Sequence, residues 1–380
     1  MSRKIVAVSD FCDPAHPETS CLDTKTLKSS WAQVYRAELE TVSTVIGGYL
    51  ERLPLACVAA GLADSAEVWS FAGTDDRRDI VGRAGPPGLT YRRLRADGHP
   101  APYGSQDALA CIAEHGPPEI LCVWGLGVTR ELLAACRNSI IIYNSIDAPA
   151  LRIPPEVSSC VDIFLTGAPW QSEEIRSRHP DALCSVLPIG PEFASDETFF
   201  PTGVPKDYDV IYVAATQPYK RHDLLLDALS QLPGTRALCV AGYGHMTDHL
   251  KSEANRRGLL VDWAGPVNHD EVNALMNRAR VGVVCGVDDG APAILTEYML
   301  AGLPVLANAG LSCGLQYIRP DTGLIASEQD FGKALGQLLD TAKNFDPRPV
   351  VQRNWTWQHS VGRLAELIKQ ARMRKMGIAA

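Results

Sequence analysis

The sequence predicts an α/β protein made of two Rossmann-like, doubly wound parallel-sheet domains facing each other across a cleft. Three observations carry that expectation. The chain has 380 residues, more than one ordinary hydrophobic core accommodates. Short apolar runs bounded by turn residues alternate with helix-like stretches throughout, the pattern of parallel strands covered by helices on both faces. The alternation breaks once, at 188–207, and then restarts.

In chain order, KIVAVSD (4–10), EVWSFAG (67–73), EILCVWG (119–125), SIIIYNS (139–145) and VDIFLTG (161–167) read as strands of a first domain spanning 1–187. Segments 31–53 and 105–116 supply helices there. The stretch 188–207 holds four prolines and two glycines without periodicity, and reads as an interdomain linker. A second domain, 208–358, follows with strands at 209–215, 236–242, 261–265, 281–286 and 304–308. Helices at 222–232, 247–257, 269–279 and 292–301 alternate with them, and 359–380 should form a last helix. The units are of similar length but share no repeated wording, so this is not a solenoid.

Composition removes several function classes. A net charge of -8 argues against a general nucleic-acid binder. The basic cluster KQARMRKMG (369–377) reads as a solvated terminal helix or as a weak attraction to an anionic membrane surface. The 11 cysteines are odd in number and form no CxxC pair, and Cys57, Cys122, Cys239 and Cys285 sit inside apolar runs. Neither a disulfide framework nor a zinc site is expected. The opening MSRKIVAVSD reads as a first strand rather than a signal peptide, no run reaches the length of a membrane span, and the cytoplasm is the expected address.

Open α/β sheets bind ligands beyond the C-terminal ends of their strands. Three such ends in the second half carry suggestive residues. After 210–215 a loop with Pro218 leads to Lys220 and Arg221, just before a helix. Two cations there suit a diphosphate, although a solvated pair at a helix start fits equally. Next, AGYGH (241–245) places Gly242 and Gly244 in a turn with His245; a tight turn alone explains it as well. Third, Asp289, Gly290 and Ala291 follow the strand at 281–286, and Glu297 falls among Ile294, Leu295, Tyr298 and Met299. A carboxylate in that setting needs a partner, either ribose hydroxyls or a structural cation.

Taken together, these segments resemble the donor domain of the family-four (group one) retaining glycosyltransferases, which adopt the GT-B fold. The family pattern of Glu, seven residues, Glu, then Ala-Gly-x-Pro-Val stands here as Asp289, seven residues, Glu297, then AGLPV (301–305). Its lysine ahead of a Leu-rich helix matches Lys220 in AATQPYKRHDLLLDAL. The GxG turn, the segment 261–279 and WTWQ (355–358) also resemble their counterparts, and the likeness covers roughly residues 160–368. The resemblance implies transfer of a sugar from a nucleoside-diphosphate sugar, with retention, to an unknown glycan, lipid or small-molecule acceptor. It implies Lys220 on the diphosphate, Glu297 on the ribose, Asp289 on the transferred sugar, and the N–H groups of Gly290 and Ala291 on the distal phosphate. It further implies a last helix packed on the first domain, and a first domain that binds the acceptor.

Three positions depart from the pattern. The first acid is Asp289, one methylene shorter than glutamate. The arginine five residues before the lysine is Ala215, and Arg221 is the nearest substitute. The glycine-rich loop after the first strand is replaced by DFCDPAHPETSCLD (10–23), and Asn144 and Asp147 stand where a histidine is common. Both are acceptor-side candidates. No cofactor beyond the donor is expected, and no metal: Asp207-Tyr-Asp209, the only Asp-x-Asp, precedes a strand. Two alternatives remain, a degenerate scaffold that binds without turnover and a sugar-nucleotide epimerase of the same architecture. A dehydrogenase is weaker, because no GxGxxG follows the first strand.

Overall fold

The first strand shows how the chain builds its sheets. Ile5 and Ala7 enter one apolar layer and Val6 and Val8 enter the other, so this run is covered on both faces. Such strands pair in parallel when helices return the chain across the sheet. The computed structural model describes residues 3–12, 48–72, 83–84, 89–98, 101–126, 128–144 and 153–377. These divide into two units: the first runs to Phe193 and resumes at Trp357, and the second is Ala194–Thr356.

The first unit contains β1 (Lys4–Cys12), β2 (Ser65–Ala72), β3 (Arg83–Ala84), β4 (Leu89–Arg95), β5 (Ile120–Trp124), β6 (Ile140–Asn144), β7 (Ile163–Thr166) and β8 (Leu183–Val186). Their order is β3-β4-β2-β1-β5-β6-β7-β8, parallel except for the short edge strand β3. Helix Gln106–His115 shows both end signals: Ser105 accepts the Ala108 N–H at 3.1 Å, and Gly116 leaves the helix at φ +80°. The helix expected over 31–53 lies mostly outside the described residues; the one described there is Tyr49–Ala59.

The C-terminal helix, Trp357–Lys375, belongs to this first unit. Trp357, Val361, Leu364, Ile368 and Ala371, at helical spacing, join its core. The basic end of the helix is fastened to the sheet. Arg372 pairs with Glu119 at 2.8 Å, Lys375 pairs with Asp162 at 2.9 Å, and Arg374 donates to the Asp181 carbonyl. Three of the cations that suggested a solvated tail or a membrane contact thus have counter-groups inside the unit.

The segment expected as a linker is mostly not one. The units divide within it, between Phe193 and Ala194. Ile189–Glu192 forms a short buried helix, and Ala194 and Phe199 enter the core of the second unit. Only 200–207 is continuously exposed. The prolines and glycines disguised two large apolar side chains, Phe193 and Phe199, that burial draws inward. Arg348 secures this entry by donating to the carbonyls of Phe199 at 2.7 Å and Asp196 at 3.1 Å.

The second unit contains β9 (Tyr208–Val213), β10 (Arg236–Val240), β11 (Leu260–Ala264), β12 (Ala279–Val284), β13 (Val305–Asn308) and β14 (Gly323–Ala326). They form one parallel sheet in the order β11-β10-β9-β12-β13-β14, with an apolar layer on each face. Asn268 and Glu271 form a reciprocal capping box that starts helix His269–Asn277. No helix among the described residues is long and apolar enough to cross a membrane.

Two buried groups give the units opposite pH responses. In the second unit His222 is 3% exposed, its ring 4.6 Å from that of Tyr212, and burial pushes its pKa down to about 4 from 6.5. The unfolded chain therefore binds a proton that the folded one refuses, and stability falls as pH drops from about 6.5 towards 4. In the first unit burial pushes Glu51 up to about 7 from 4.5, so its folded form keeps a proton the unfolded chain releases. Stability there falls as pH rises from about 4.5 to 7. Each effect is on the order of 3 kcal/mol at most. Denaturant titrations across this range should show His222→Phe flattening the acid limb and Glu51→Gln the neutral limb.

Candidate functional site

The strand order of the second unit reverses between β9 and β12. From β9 the chain builds outward through β10 and β11, then returns to β12 and builds the other way through β13 and β14. The loops leaving β9 and β12 therefore part in opposite directions, and a crevice opens between them at the C-terminal edge. Lys220 and Asp289 stand on those two loops and meet as an ion pair.

Backbone bonds set this meeting. Pro218–Lys220 forms a 3₁₀ turn, and the hydroxyl of Tyr212, on β9, donates to the Lys220 carbonyl at 2.5 Å. Across the crevice, the Val287 N–H donates to the Tyr219 carbonyl at 2.9 Å. Gly286 permits the approach, since a Cβ there would stand 3.2 Å from the same carbonyl. The Asp289 carboxylate gives one oxygen to Lys220, and its other oxygen accepts the Ala291 N–H at 3.4 Å. The lysine and aspartate side chains are 20% and 14% exposed, so the pair is poorly screened by water.

The helix expected over 292–301 begins two residues later, at Ile294. Gly290 and Ala291 therefore belong to the loop, both buried, rather than to a helical first turn. Glu297 lies on this short helix and is 7% exposed. Beside it, the Tyr298 hydroxyl accepts the Val213 N–H at 2.7 Å and donates to the Ile211 carbonyl at 3.3 Å. The ring of Tyr298 lies against Gly282, where a Cβ would come within 2.5 Å of it. Tyr298 thus clamps the helix carrying Glu297 onto β9 and β12.

The glycine-rich turn joins the same edge. Gly244, at φ +129°, packs so closely that a Cβ would stand 2.3 Å from the Thr216 hydroxyl. Thr216 donates its N–H to the Tyr243 carbonyl at 2.9 Å and accepts from Met246 at 3.2 Å, fastening the β10 loop to the β9 loop. Gly242 and His245 are exposed. Gly244 is thus required by packing, whatever the turn binds.

Arg221 has a different setting from the one expected of a diphosphate ligand. It adopts a left-handed φ of 50°, and its guanidinium meets Glu328 at 2.5 Å and Asp223 at 3.1 Å. These two carboxylates hold its charge strongly in place. Ala215, where the family pattern has arginine, is buried and brings only a methyl group.

Asp207 and Asp209 lie at the opposite end of β9 and pair with Arg278 at 2.7 Å and Arg280 at 2.9 Å. No group of three metal-binding side chains occurs among the described residues. In the first unit Asn144 ends β6 fully buried, both amide atoms without a hydrogen-bond partner among the described residues. Asp147 lies outside the described residues.

Sequence reasoning missed Tyr212, Thr216, Gly286 and Tyr298, which touch backbone rather than carry charge. It also missed Glu328, which lies 107 residues from its partner Arg221. Adjacency to a motif was the one available signal, for Thr216 and Tyr298. Replacing Tyr298 by Phe leaves the Val213 N–H without its acceptor. The expected cost is about 1–3 kcal/mol, read by denaturant unfolding. Stability equal to wild type would show that the hydroxyl is not what holds the helix.

A family profile described as Glycosyl transferases group 1 matches residues 194–344, nearly the whole second unit. The D-inositol 3-phosphate glycosyltransferase of Mycolicibacterium smegmatis is 23% identical over 261 residues, covering 62% of this chain and 59% of that protein. The protein of the same description from Mycobacteroides abscessus is 26% identical over 241 residues, 57% of this chain and 54% of its own. The matched region thus spans less than two thirds of either relative. Sucrose-phosphate synthase from Thermosynechococcus elongatus superposes with a TM-score of 0.68 at 17% identity, over 97% of this chain and 98% of that one. Anabaena HepE, in complex with UDP and glucose, gives 0.65 at 13% identity, over 97% and 100%.

Proposed function

We propose that the chain transfers a sugar from a nucleoside-diphosphate sugar to an acceptor, with retention of configuration; the match of 194–344 to the glycosyl transferases group 1 profile and the GT-B fold support this reading. The observation that carries this reading is the Lys220–Asp289 pair at the strand-order reversal, with Glu297 on the adjoining clamped helix. Related solved structures hold UDP, which makes it the first nucleotide to test.

In this reading the donor diphosphate takes the place of the Asp289 carboxylate beside Lys220. That exchange releases two groups together, because Asp289 also holds the Ala291 N–H. The ammonium and the loop N–H groups of Gly290 and Ala291 then face the phosphates, while Asp289 turns to hydroxyls of the sugar. Glu297 accepts hydrogen bonds from the ribose. As the glycosidic bond breaks, charge grows on the departing diphosphate, and Lys220 stabilises it more in the transition state than in the ground state. The acceptor attacks from the face the diphosphate leaves. Lys220 and the N–H groups do the charge work without a metal ion. The first unit, with Asn144 among its candidates, binds the acceptor.

The buried methyl of Ala215 favours one second reading, a scaffold that binds the nucleotide without turnover. Release of nucleoside diphosphate from a nucleotide-sugar separates the two. Lys220→Ala should lower single-turnover rate more than nucleotide affinity, by about 2–4 kcal/mol. Glu297→Gln should weaken nucleotide binding by roughly 1–3 kcal/mol at an unchanged melting temperature. Full activity in the lysine variant, or native nucleotide affinity in a folded glutamine variant, would sink the assignment. Arg221→Ala should leave nucleotide affinity unchanged, since its guanidinium is engaged by Asp223 and Glu328. A clear loss in calorimetry would instead make it the replacement for the missing arginine.

A further inference from the structure

Resting on the transferase reading, the first unit names the chemistry of the acceptor: we propose that the C-terminal edge of its sheet holds a saccharide, stacked on Trp170 and hydrogen-bonded by Asn144. The two residues stand at the ends of neighbouring parallel strands, with Asn144 in register opposite Leu165. Trp170 follows β7 by four residues, in the first turn of helix Pro169–Arg178.

Trp170 is 38% exposed, and among the described residues it is the only tryptophan in the exposed class. Its turn is rigid. The Gly167 N–H donates to the Gln171 side chain at 2.6 Å, and the Thr166 and Ser172 hydroxyls meet at 2.7 Å. Gln171, Ser172 and Ile175 provide the buried face of the helix, so the indole is left outside the core. An exposed aromatic side chain at the ligand-binding edge of a parallel sheet suits the C–H surface of a ligand.

Asn144 supplies the complementary chemistry. Its amide carries both a donor group and an acceptor, and neither has a hydrogen-bond partner among the described residues. Buried polar atoms left this way call for a partner. A sugar hydroxyl both donates and accepts, so hydroxyls satisfy both ends of an amide. A pyranose ring combines a C–H face with a rim of hydroxyls, which is the pairing these two residues match.

The test is saturation-transfer NMR on the full chain with free glucose, galactose, N-acetylglucosamine, lactose and maltose at millimolar concentration. At least one should receive saturation on its C–H protons. Trp170→Ala, at an exposed site, should weaken that binding roughly tenfold while Trp170→Phe retains most of it. UDP affinity, read in parallel, should not change in either variant. Absence of saturation in the wild type, or equal binding in Trp170→Ala, overturns the proposal, as does binding to anionic lipid vesicles with none to saccharides. A wild type that binds saccharide but no nucleotide would fail the donor reading and leave this site standing.

Discussion

Everything at the C-terminal edge of the second sheet depends on the joint between the β9 turn and the β12 loop. A single backbone bond, Val287 N–H to Tyr219 carbonyl, brings together loops that the topology sends apart. With it in place, Lys220 and Asp289 meet; without it, the reversal of strand order would leave a wider gap between two mobile charges. Gly286 is part of the same constraint, because a side chain there would press on the carbonyl that accepts the bond. The joint precedes the chemistry: charge is placed by backbone geometry, and side chains complete it.

Around the joint the fold adds stiffness through hydroxyl groups. Tyr212 holds the Lys220 carbonyl, Tyr298 holds the β9 backbone from the opposite layer, and the Thr216 hydroxyl links the β9 loop to the β10 turn through the Thr247 hydroxyl and the Tyr243 carbonyl. None of these groups is charged at neutral pH, so they tune position without competing for an anionic ligand. If transfer takes place here as proposed, a site held this way loses little to reorganisation when charge develops.

This division explains what could be read from the sequence. The positions of Lys220, Asp289 and Glu297, at strand ends or on the helix after one, were legible from local spacing, while the roles proposed for them came from the resemblance. The alternation of apolar runs likewise made both sheets legible. What escaped depends on distant partners. Glu328 takes up Arg221, and so alters the meaning of a basic pair, from a position no local pattern connects to it. The basic C-terminal cluster looked like a solvated tail because Glu119, Asp162 and the Asp181 carbonyl are remote in sequence. The proline-rich segment looked like a linker because composition outweighed two phenylalanines that tertiary burial claims.

The shortened acid at Asp289 has its own logic within this frame. An aspartate can hydrogen-bond the backbone N–H two residues on, forming a compact local turn. Here it does so to Ala291 while its other oxygen reaches Lys220. A glutamate, one methylene longer, is poorly shaped for that turn and would leave the loop N–H without the same local acceptor. The aspartate therefore couples two events that a longer acid would leave separate: uncovering the cation and uncovering the loop amide. In the proposed transfer, an anion entering the crevice would meet both only by displacing one carboxylate, which would then be free for neutral hydroxyl groups beside it. Under that proposal, recognition of the charged and uncharged parts of one ligand would follow from a single exchange at a single side chain.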